Sequence, residues 1–121
     1  MSSKKTLVLG ASANPGRYSF LAINQLREHH HPVIAIGKNT ARVADVPVQS
    51  ETTPIPDLDT VTLYLNKDNQ KKYYDYILSL HPRRVIFNPG AENPEFEKML
   101  SDKGIQNMKA CTLVLLGTGQ Y

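Results

Sequence analysis

The sequence predicts a three-layer α/β domain with a central parallel sheet of about five strands and helices on both faces. Short apolar runs alternate with helical patterns, which is the order that parallel strands joined by crossover helices require. Val33–Gly37 is a continuous apolar run of the kind that is buried on both faces of such a sheet. An earlier apolar run, residues 6–10, leads directly into a loop of small residues and then into a helical pattern.

The middle of the chain repeats this alternation. The first helix is predicted from Phe20, Ile23 and Leu26, whose spacing of three places them on one stripe. The third and fourth strands are predicted at residues 61–65 and 85–88. The helix between them carries an apolar stripe at positions i, i+3, i+4 and i+7, formed by Tyr73, Tyr76, Ile77 and Leu80.

The last part of the chain is predicted as a capped helix, a short strand and an apolar tail. Asn93 is the predicted N-cap, Pro94 occupies the first helical position, and Gly104 ends the helix. Residues 107–110 are predicted as the fifth strand. The tail 112–116 fits a helix and a strand equally well.

The segment 38–59 is predicted to be irregular, because Pro47, Pro54 and Pro56 interrupt it. One short extended piece is expected within it, at Val46–Gln49. No repeat, linker or low-complexity stretch divides the chain, so a single domain is predicted over residues 1–121.

Composition and charge bound the possible functions. The 121 residues suffice for one core but not for a nucleotide fold joined to a separate catalytic domain. A net charge of +3 favours a small anionic ligand and is too weak to argue for nucleic acid. Cys111 is the only cysteine, so no internal disulfide is expected. No signal peptide or membrane span is expected either, and a cytoplasmic location follows as the expectation.

The loop after the first strand is the strongest functional signal. Its glycines and serine are spaced Gly10-x-Ser12-x-x-x-Gly16, and Arg17 stands where the first helix should begin. Small residues let the backbone approach a phosphate, and the free N–H groups of a helix start donate to it. This spacing is neither the GxGxxG of NAD enzymes nor a P-loop, and an ordinary tight turn remains the alternative interpretation.

The end of the second strand discriminates between nucleotide cofactors. NAD enzymes place an acidic residue there to bind the ribose hydroxyls. This chain has Gly37 followed by Lys38 instead. A lysine favours an additional phosphate on the ribose, as in NADP or coenzyme A, whereas the alternative is a lysine that only faces solvent.

Ligands of parallel sheets bind outside the carboxyl ends of the strands, at the switch point in strand order. Cys111 is expected at the same edge, as the end of the fifth strand. The residues predicted to bind a ligand or cofactor at this edge are Gly10, Ala11, Ser12, Asn14, Pro15, Arg17, Tyr18, Ser19, Gly37, Lys38, Leu65, Asn66, Asn88, Pro89 and Gly90.

No constellation of residues predicts catalysis or metal binding. His29, His30 and His31 are consecutive, and adjacent helical residues point about 100° apart, so they do not converge on one metal. Glu92 is the one carboxylate near the predicted ligand edge, and without a partner it is better interpreted as structural. No catalytic residue and no metal site are therefore predicted.

Several segments together resemble a bacterial family of stand-alone CoA-binding domains, related to the CoA-binding part of succinyl-CoA synthetase α subunits. They are GASANPGRYSF, Gly37-Lys38, VTLYLN, RVIFNPGAEN and ACTLVLLGTGQY. The resemblance spans nearly the whole chain and implies a Rossmann-like sheet with CoA held by the first loop. It also implies that Arg17 and Ser19 lie near the phosphates and Lys38 lies towards the adenosine phosphate.

The expected function is therefore to bind coenzyme A or an acyl-CoA as a non-catalytic module, such as a sensor, carrier or accessory subunit. The alternatives are an NADP-dependent reductase, a CoA-ligase subunit that needs a partner chain, and an interaction subunit with a vestigial site. The expected binding partner is a small nucleotide ligand, with a partner protein or a second copy of the chain as further candidates. Neither nucleic acid nor a membrane is expected.

Overall fold

The computed structural model describes residues 3–121 as one sheet with helices on both faces. The strands are β1 Thr6–Ala11, β2 Val33–Gly37, β3 Ala41–Val43, β4 Val46–Gln49, β5 Thr60–Leu63, β6 Arg84–Phe87 and β7 Gln106–Lys109. The helices are α1 Tyr18–Glu28, α2 Lys67–Gln70, α3 Tyr74–Leu80, α4 Pro94–Asp102 and α5 Thr112–Gly117, with a 3₁₀ turn Lys71–Tyr73 between α2 and α3.

The sheet has seven strands in the order β3-β4-β2-β1-β5-β6-β7. All neighbouring pairs are parallel except β3 with β4, which form an antiparallel hairpin at one edge. Without β3 this is the Rossmann strand order, so the predicted fold class is confirmed. The prediction of about five strands was too low. The extended piece Val46–Gln49 is a strand, and β3 has only three residues, too few to show a pattern.

The direction of winding reverses at β1. Both neighbours of β1 in the sheet are parallel to it: β2, the next strand in the chain, on one side, and β5 on the other. The carboxyl end of β1 is therefore the switch point at which such sheets form a crevice.

Two apolar cores lie on the two faces of the sheet. Successive side chains of a strand point to opposite faces, so Leu7 and Leu9 belong to one core and Val8 to the other. The first core is closed by residues of α3 and α4, including Phe96. The second is closed by α1 and α5, including Ile23. Helices on both faces confirm the three-layer arrangement.

The helix ends follow the local sequence in most places. Asn93 caps α4 as predicted, since its side chain accepts a hydrogen bond from the backbone N–H of Phe96 at 3.1 Å. Gly104 follows α4 with a φ of +74°, as expected of a glycine that terminates a helix. The tail that sequence patterns left undecided is helical, because it packs as α5 beside α1.

A cluster of polar and aromatic residues closes the edge of the sheet opposite the crevice. The hydroxyl of Tyr121 shares a hydrogen bond with that of Thr6, and the guanidinium of Arg84 lies 4.3 Å from the centre of the Tyr121 ring. His31 is buried beside that ring, and its Nδ1 accepts a hydrogen bond from the backbone N–H of Lys4 at 2.9 Å. The neutral form of His31 is therefore part of the folded structure.

We predict that His31 makes the fold less stable at acidic pH. Burial, with the nearby charges of Lys4 and Arg84, lowers the pKa of His31 below its ordinary value of about 6.5. The unfolded chain then binds more protons than the folded one, so the contribution of His31 is complete above that pKa and is lost as pH falls through the lowered one. The free energy of unfolding, measured with urea between about pH 8 and pH 5, should fall further in the wild type than in His31→Gln. Equal falls in the two proteins would contradict this assignment.

Candidate functional site

Two adjoining cavities open at the carboxyl ends of the central strands. Cavity one has a volume of about 390 Å³ and cavity two about 380 Å³, both within the usual range for small-molecule sites. Cavity one lies over β1 and β2 and extends to Lys72 and Tyr73, whereas cavity two extends towards the segment after β6. The residues that line both cavities are Gly10, Arg17, Tyr64 and Leu65.

Most of the residues predicted to bind a ligand lie in these walls. Ala11, Ser12, Asn14, Gly37 and Lys38 line cavity one, and Tyr18, Ser19, Asn66, Pro89 and Gly90 line cavity two. Gly10, Arg17 and Leu65 line both. Pro15 and Asn88 line neither cavity.

Gly10 forms the boundary between the two cavities. The register of β1 against β2 shifts between Leu9 and Ala11, so Gly10 is bulged out of the ladder with a φ of +92°. A Cβ at this position would lie 2.9 Å from the backbone carbonyl atoms of Tyr64. Gly10 therefore lets β1 end in close contact with the chain that follows β5.

Gly37 performs the same role on the other side of β1. A Cβ built on Gly37 would overlap the carbonyl oxygen of Ala11. The ends of β1 and β2 thus approach so closely that no side chain fits between them. This approach places Lys38 at the rim of cavity one.

The loop between β1 and α1 is held by its own side chains. The hydroxyl of Ser12 accepts a hydrogen bond from the N–H of Asn14 at 3.0 Å. The side-chain oxygen of Asn14 in turn accepts one from the N–H of Gly16 at 2.9 Å. Ser12 can still donate its own proton, and the side-chain NH₂ of Asn14 can still donate to a ligand.

The N-terminus of α1 faces cavity two without a side-chain cap. Arg17 occupies the N-cap position with extended backbone angles, and its side chain makes no capping hydrogen bond. Tyr18 and Ser19 are the first helical residues, and such N–H groups have no acceptor within the helix. Ser19 is one of the residues that line cavity two. Its hydroxyl is buried and has no hydrogen-bond partner in residues 3–121. These donors and the helix dipole suit an anion.

The charges around the cavities have one sign. Arg17, Lys38 and Lys72 line cavity one, and in the described part of the chain no aspartate or glutamate lines either cavity. Cavity two contains no charged residue besides Arg17. Positive charge is therefore concentrated in cavity one, whereas cavity two has Arg17 beside the start of α1.

Asn88 does not reach the cavities, contrary to the sequence prediction. Its side-chain NH₂ donates to the hydroxyl of Thr62 at 2.7 Å and to the carbonyl of Leu63 at 2.9 Å. Its side-chain oxygen accepts from the N–H of Thr112 at 2.9 Å. With all of these hydrogen bonds made inside the protein, Asn88 joins β5, β6 and α5 beneath the site.

Cys111 also differs from its predicted position. The strand β7 ends at Lys109, and Cys111 is the half-buried residue before α5. It lines neither cavity one nor cavity two. The prediction that Cys111 ends the fifth strand was therefore wrong, because β7 stops two residues earlier, and Cys111 lies just beyond the carboxyl end of that strand.

Tyr64 forms the floor shared by the two cavities. Its hydroxyl is buried close to the hydroxyls of Thr62 and Thr112. Burial raises the pKa of Tyr64 to about 12, so the phenol stays protonated near neutral pH. A protonated phenol can donate a hydrogen bond but does not act as a general base.

Other candidate reactive groups have structural partners. The carboxylate of Glu92 accepts a hydrogen bond from the N–H of Gly90 at 2.9 Å and so closes the turn after β6. In residues 3–121 no group of three or more His, Cys, Asp or Glu side chains is placed to hold a metal ion.

No helix in this part of the chain is both long enough and apolar enough to span a membrane.

Sequence reasoning missed the segment that forms the outer wall of cavity one. Asn69, Lys72 and Tyr73 line this cavity from α2 and the 3₁₀ turn that follows it. The spacing of these residues matches no known motif. The apolar stripe that includes Tyr73 predicted a buried helix face and not a cavity wall. Only the position of this segment after β5 reveals that it borders the site.

A buried glutamine holds that segment in place. The side-chain NH₂ of Gln70 donates to the carbonyls of Leu65 at 2.8 Å and Ala91 at 2.7 Å. Its side-chain oxygen accepts from the NH₂ of Asn93 at 2.9 Å. Gln70 is fully buried, so these hydrogen bonds are shielded from water.

We predict that Gln70→Leu destabilises the fold. Leucine retains the bulk but removes the donors to the carbonyls of Leu65 and Ala91 and one of the two acceptors of the Asn93 side-chain NH₂, which should lower the free energy of unfolding by roughly 2–4 kcal/mol. Urea denaturation measures this change. The neighbouring Asn69→Ala is the control, because the Asn69 side chain is exposed, and it should change stability by less than about 0.5 kcal/mol. Equal effects of the two substitutions would contradict the role of Gln70.

Comparison with known proteins places this chain in a family. An uncharacterized protein of known crystal structure is 46% identical, with a TM-score of 0.97 and full coverage of both chains. The cell-free ID.343 protein from Thermus thermophilus is 21% identical, with a TM-score of 0.83, over 98% of this chain and 91% of that chain.

A larger enzyme shares the fold alone. The dinucleotide forming acetyl-coenzyme A synthetase 1 from Ca. Korarchaeum cryptofilum, solved with phosphate and ADP, is 14% identical with a TM-score of 0.68. The match covers 91% of this chain and 26% of that chain. No curated protein is significantly similar in sequence. Residues 4–117 match the sequence profile of the CoA binding domain, and the chain therefore belongs to the CoA binding domain family.

Proposed function

We propose that this protein binds coenzyme A or an acyl-CoA in cavities one and two and acts as a non-catalytic module. The observation that carries the proposal is the charge of the site. Three cationic residues and an uncapped helix N-terminus border a crevice that no described carboxylate lines. A ligand with several phosphates would relieve the repulsion among the cations and supply acceptors for the free N–H groups.

The shape of the site supports a long ligand with two chemically different ends. The pyrophosphate would lie at the boundary of the two cavities, beside Gly10 and Arg17, where the backbone can approach it. The phosphorylated adenosine would extend through cavity one towards Lys38. The pantetheine arm, which is uncharged, would extend through cavity two towards Pro89 and Gly90.

The absence of an acidic residue after β2 favours CoA over NAD. An acidic residue at this position would accept hydrogen bonds from free ribose hydroxyls. The ammonium of Lys38 would instead attract a phosphate on the ribose. NADP also carries such a phosphate. Family membership favours CoA between these two.

A role without catalysis is supported by the state of the reactive groups. The phenol of Tyr64 is held protonated, and the carboxylate of Glu92 is used in a turn. We propose that the module presents its ligand to a partner in the cytoplasm, where a single unpaired cysteine is compatible with reducing conditions.

Thermal unfolding with CoA, acetyl-CoA, NAD and NADP tests the proposal. At 100 times its dissociation constant, a ligand specific for the folded state stabilises it by about 2.7 kcal/mol. We expect CoA or acetyl-CoA to raise the unfolding temperature accordingly, and NAD and NADP at the same concentration to raise it less. A shift with NAD equal to or larger than that with CoA would overturn the proposal. Turnover of NADPH by the isolated chain would overturn its non-catalytic part.

We further predict that Arg17→Ala weakens CoA binding by roughly 10- to 150-fold, because a hydrogen bond between charged groups contributes about 1.5–3 kcal/mol. Arg83→Ala is the matched control, because Arg83 is exposed and directly precedes β6. The substitution removes the same charge at the amino ends of the strands, away from the cavities. Calorimetry should show a change of less than about twofold for Arg83→Ala. A dissociation constant unchanged by Arg17→Ala would remove Arg17 from the site.

A further inference from the structure

The two lysines of cavity one come from opposite sides of the central strand. Lys38 follows β2, and Lys72 lies in the 3₁₀ turn that comes after β5. Because β2 and β5 are the two neighbours of β1, the lysines approach the cavity from opposite directions. Arg17 lines both cavities, whereas the two lysines add positive charge to cavity one alone.

Neither lysine has a carboxylate partner in residues 3–121. The ion pairs of this part of the chain join Arg27 to Asp45, Lys98 to Asp102 and Lys109 to Glu97. The ammonium of Lys72 instead lies 5.3 Å from the centre of the Tyr73 ring. Two unpaired cations beside one cavity repel each other, and an anion between them removes that repulsion.

The segment that carries Lys72 is anchored to the sheet. Asn66 caps α2 by accepting a hydrogen bond from the N–H of Asn69 at 2.9 Å. Gln70 binds the carbonyls of Leu65 and Ala91 from its buried position. Lys72 therefore stands on a short, well-anchored turn beside the cavity.

We propose that Lys72 is a specificity-determining residue that, with Lys38, binds a phosphomonoester on the nucleoside end of the ligand. This inference rests on the proposed function. According to this inference, the segment after β5 selects a ligand that carries a third phosphate over a ligand that carries only the pyrophosphate. In residues 3–121, Arg17 is the one charged residue that lines cavity two, whereas cavity one adds both lysines and therefore favours that group.

Calorimetry with CoA and dephospho-CoA tests the assignment, because the two ligands differ only in this phosphate. Lys72→Ala should weaken CoA by about tenfold, which corresponds to about 1.4 kcal/mol, and dephospho-CoA by less than about twofold. Lys72→Arg, which retains the charge, should keep most of the affinity for CoA. In the double variant Lys38→Ala with Lys72→Ala, the preference for CoA over dephospho-CoA should nearly disappear.

Lys71 provides a matched control on the same turn. It has the same charge and is exposed, but it lines a surface depression beside Pro94 and Glu95 rather than cavity one. Lys71→Ala should change both affinities by less than about twofold. Thermal unfolding without ligand should show that each variant is folded.

The possible failures are distinguishable. Equal losses for both ligands in Lys72→Ala, or equal losses in Lys71→Ala and Lys72→Ala, would overturn the inference and leave CoA binding intact. If the wild-type protein binds neither ligand, the proposed function fails, and this inference fails with it.

Discussion

The close approach of three backbones at the carboxyl end of β1 is the constraint on which the site depends. Gly37 leaves room for the carbonyl of Ala11 on one side, and Gly10 leaves room for the backbone of Tyr64 on the other. A side chain at either glycine would clash with this neighbouring backbone, so the chain at the switch point would have to shift. The loop that begins at Gly10 then turns over the crevice and directs α1 so that its first N–H groups face the cavities.

Buried amides hold the surroundings of this crevice without entering it. Asn88 joins β5 and β6 to the start of α5, and Gln70 joins the segment after β5 to the turn after β6. Asn93 connects Gln70 to the cap of α4. Because each of these groups is satisfied inside the protein, they order the walls without occupying the cavities.

The distribution of charge then gives the site a direction. Arg17, Lys38 and Lys72 line cavity one, whereas in the described residues Arg17 is the one charged residue that lines cavity two. An asymmetric ligand with a strongly anionic end and a neutral arm would match this arrangement best with its anionic end in cavity one.

Local chemistry in the sequence was sufficient for the alternation of strands and helices, the glycine loop, Lys38 after β2 and the cap of α4. Each of these depends on residues within a few positions of one another, so a pattern reveals it. The positions of Asn88, Gln70 and Lys72 were not predictable in this way, and neither was the helical state of the tail. Their roles depend on which distant segments the sheet brings together. Hydrogen bonds, burial and charge repulsion act through space, and β2, β5 and β6 become neighbours of one crevice only when the chain has folded.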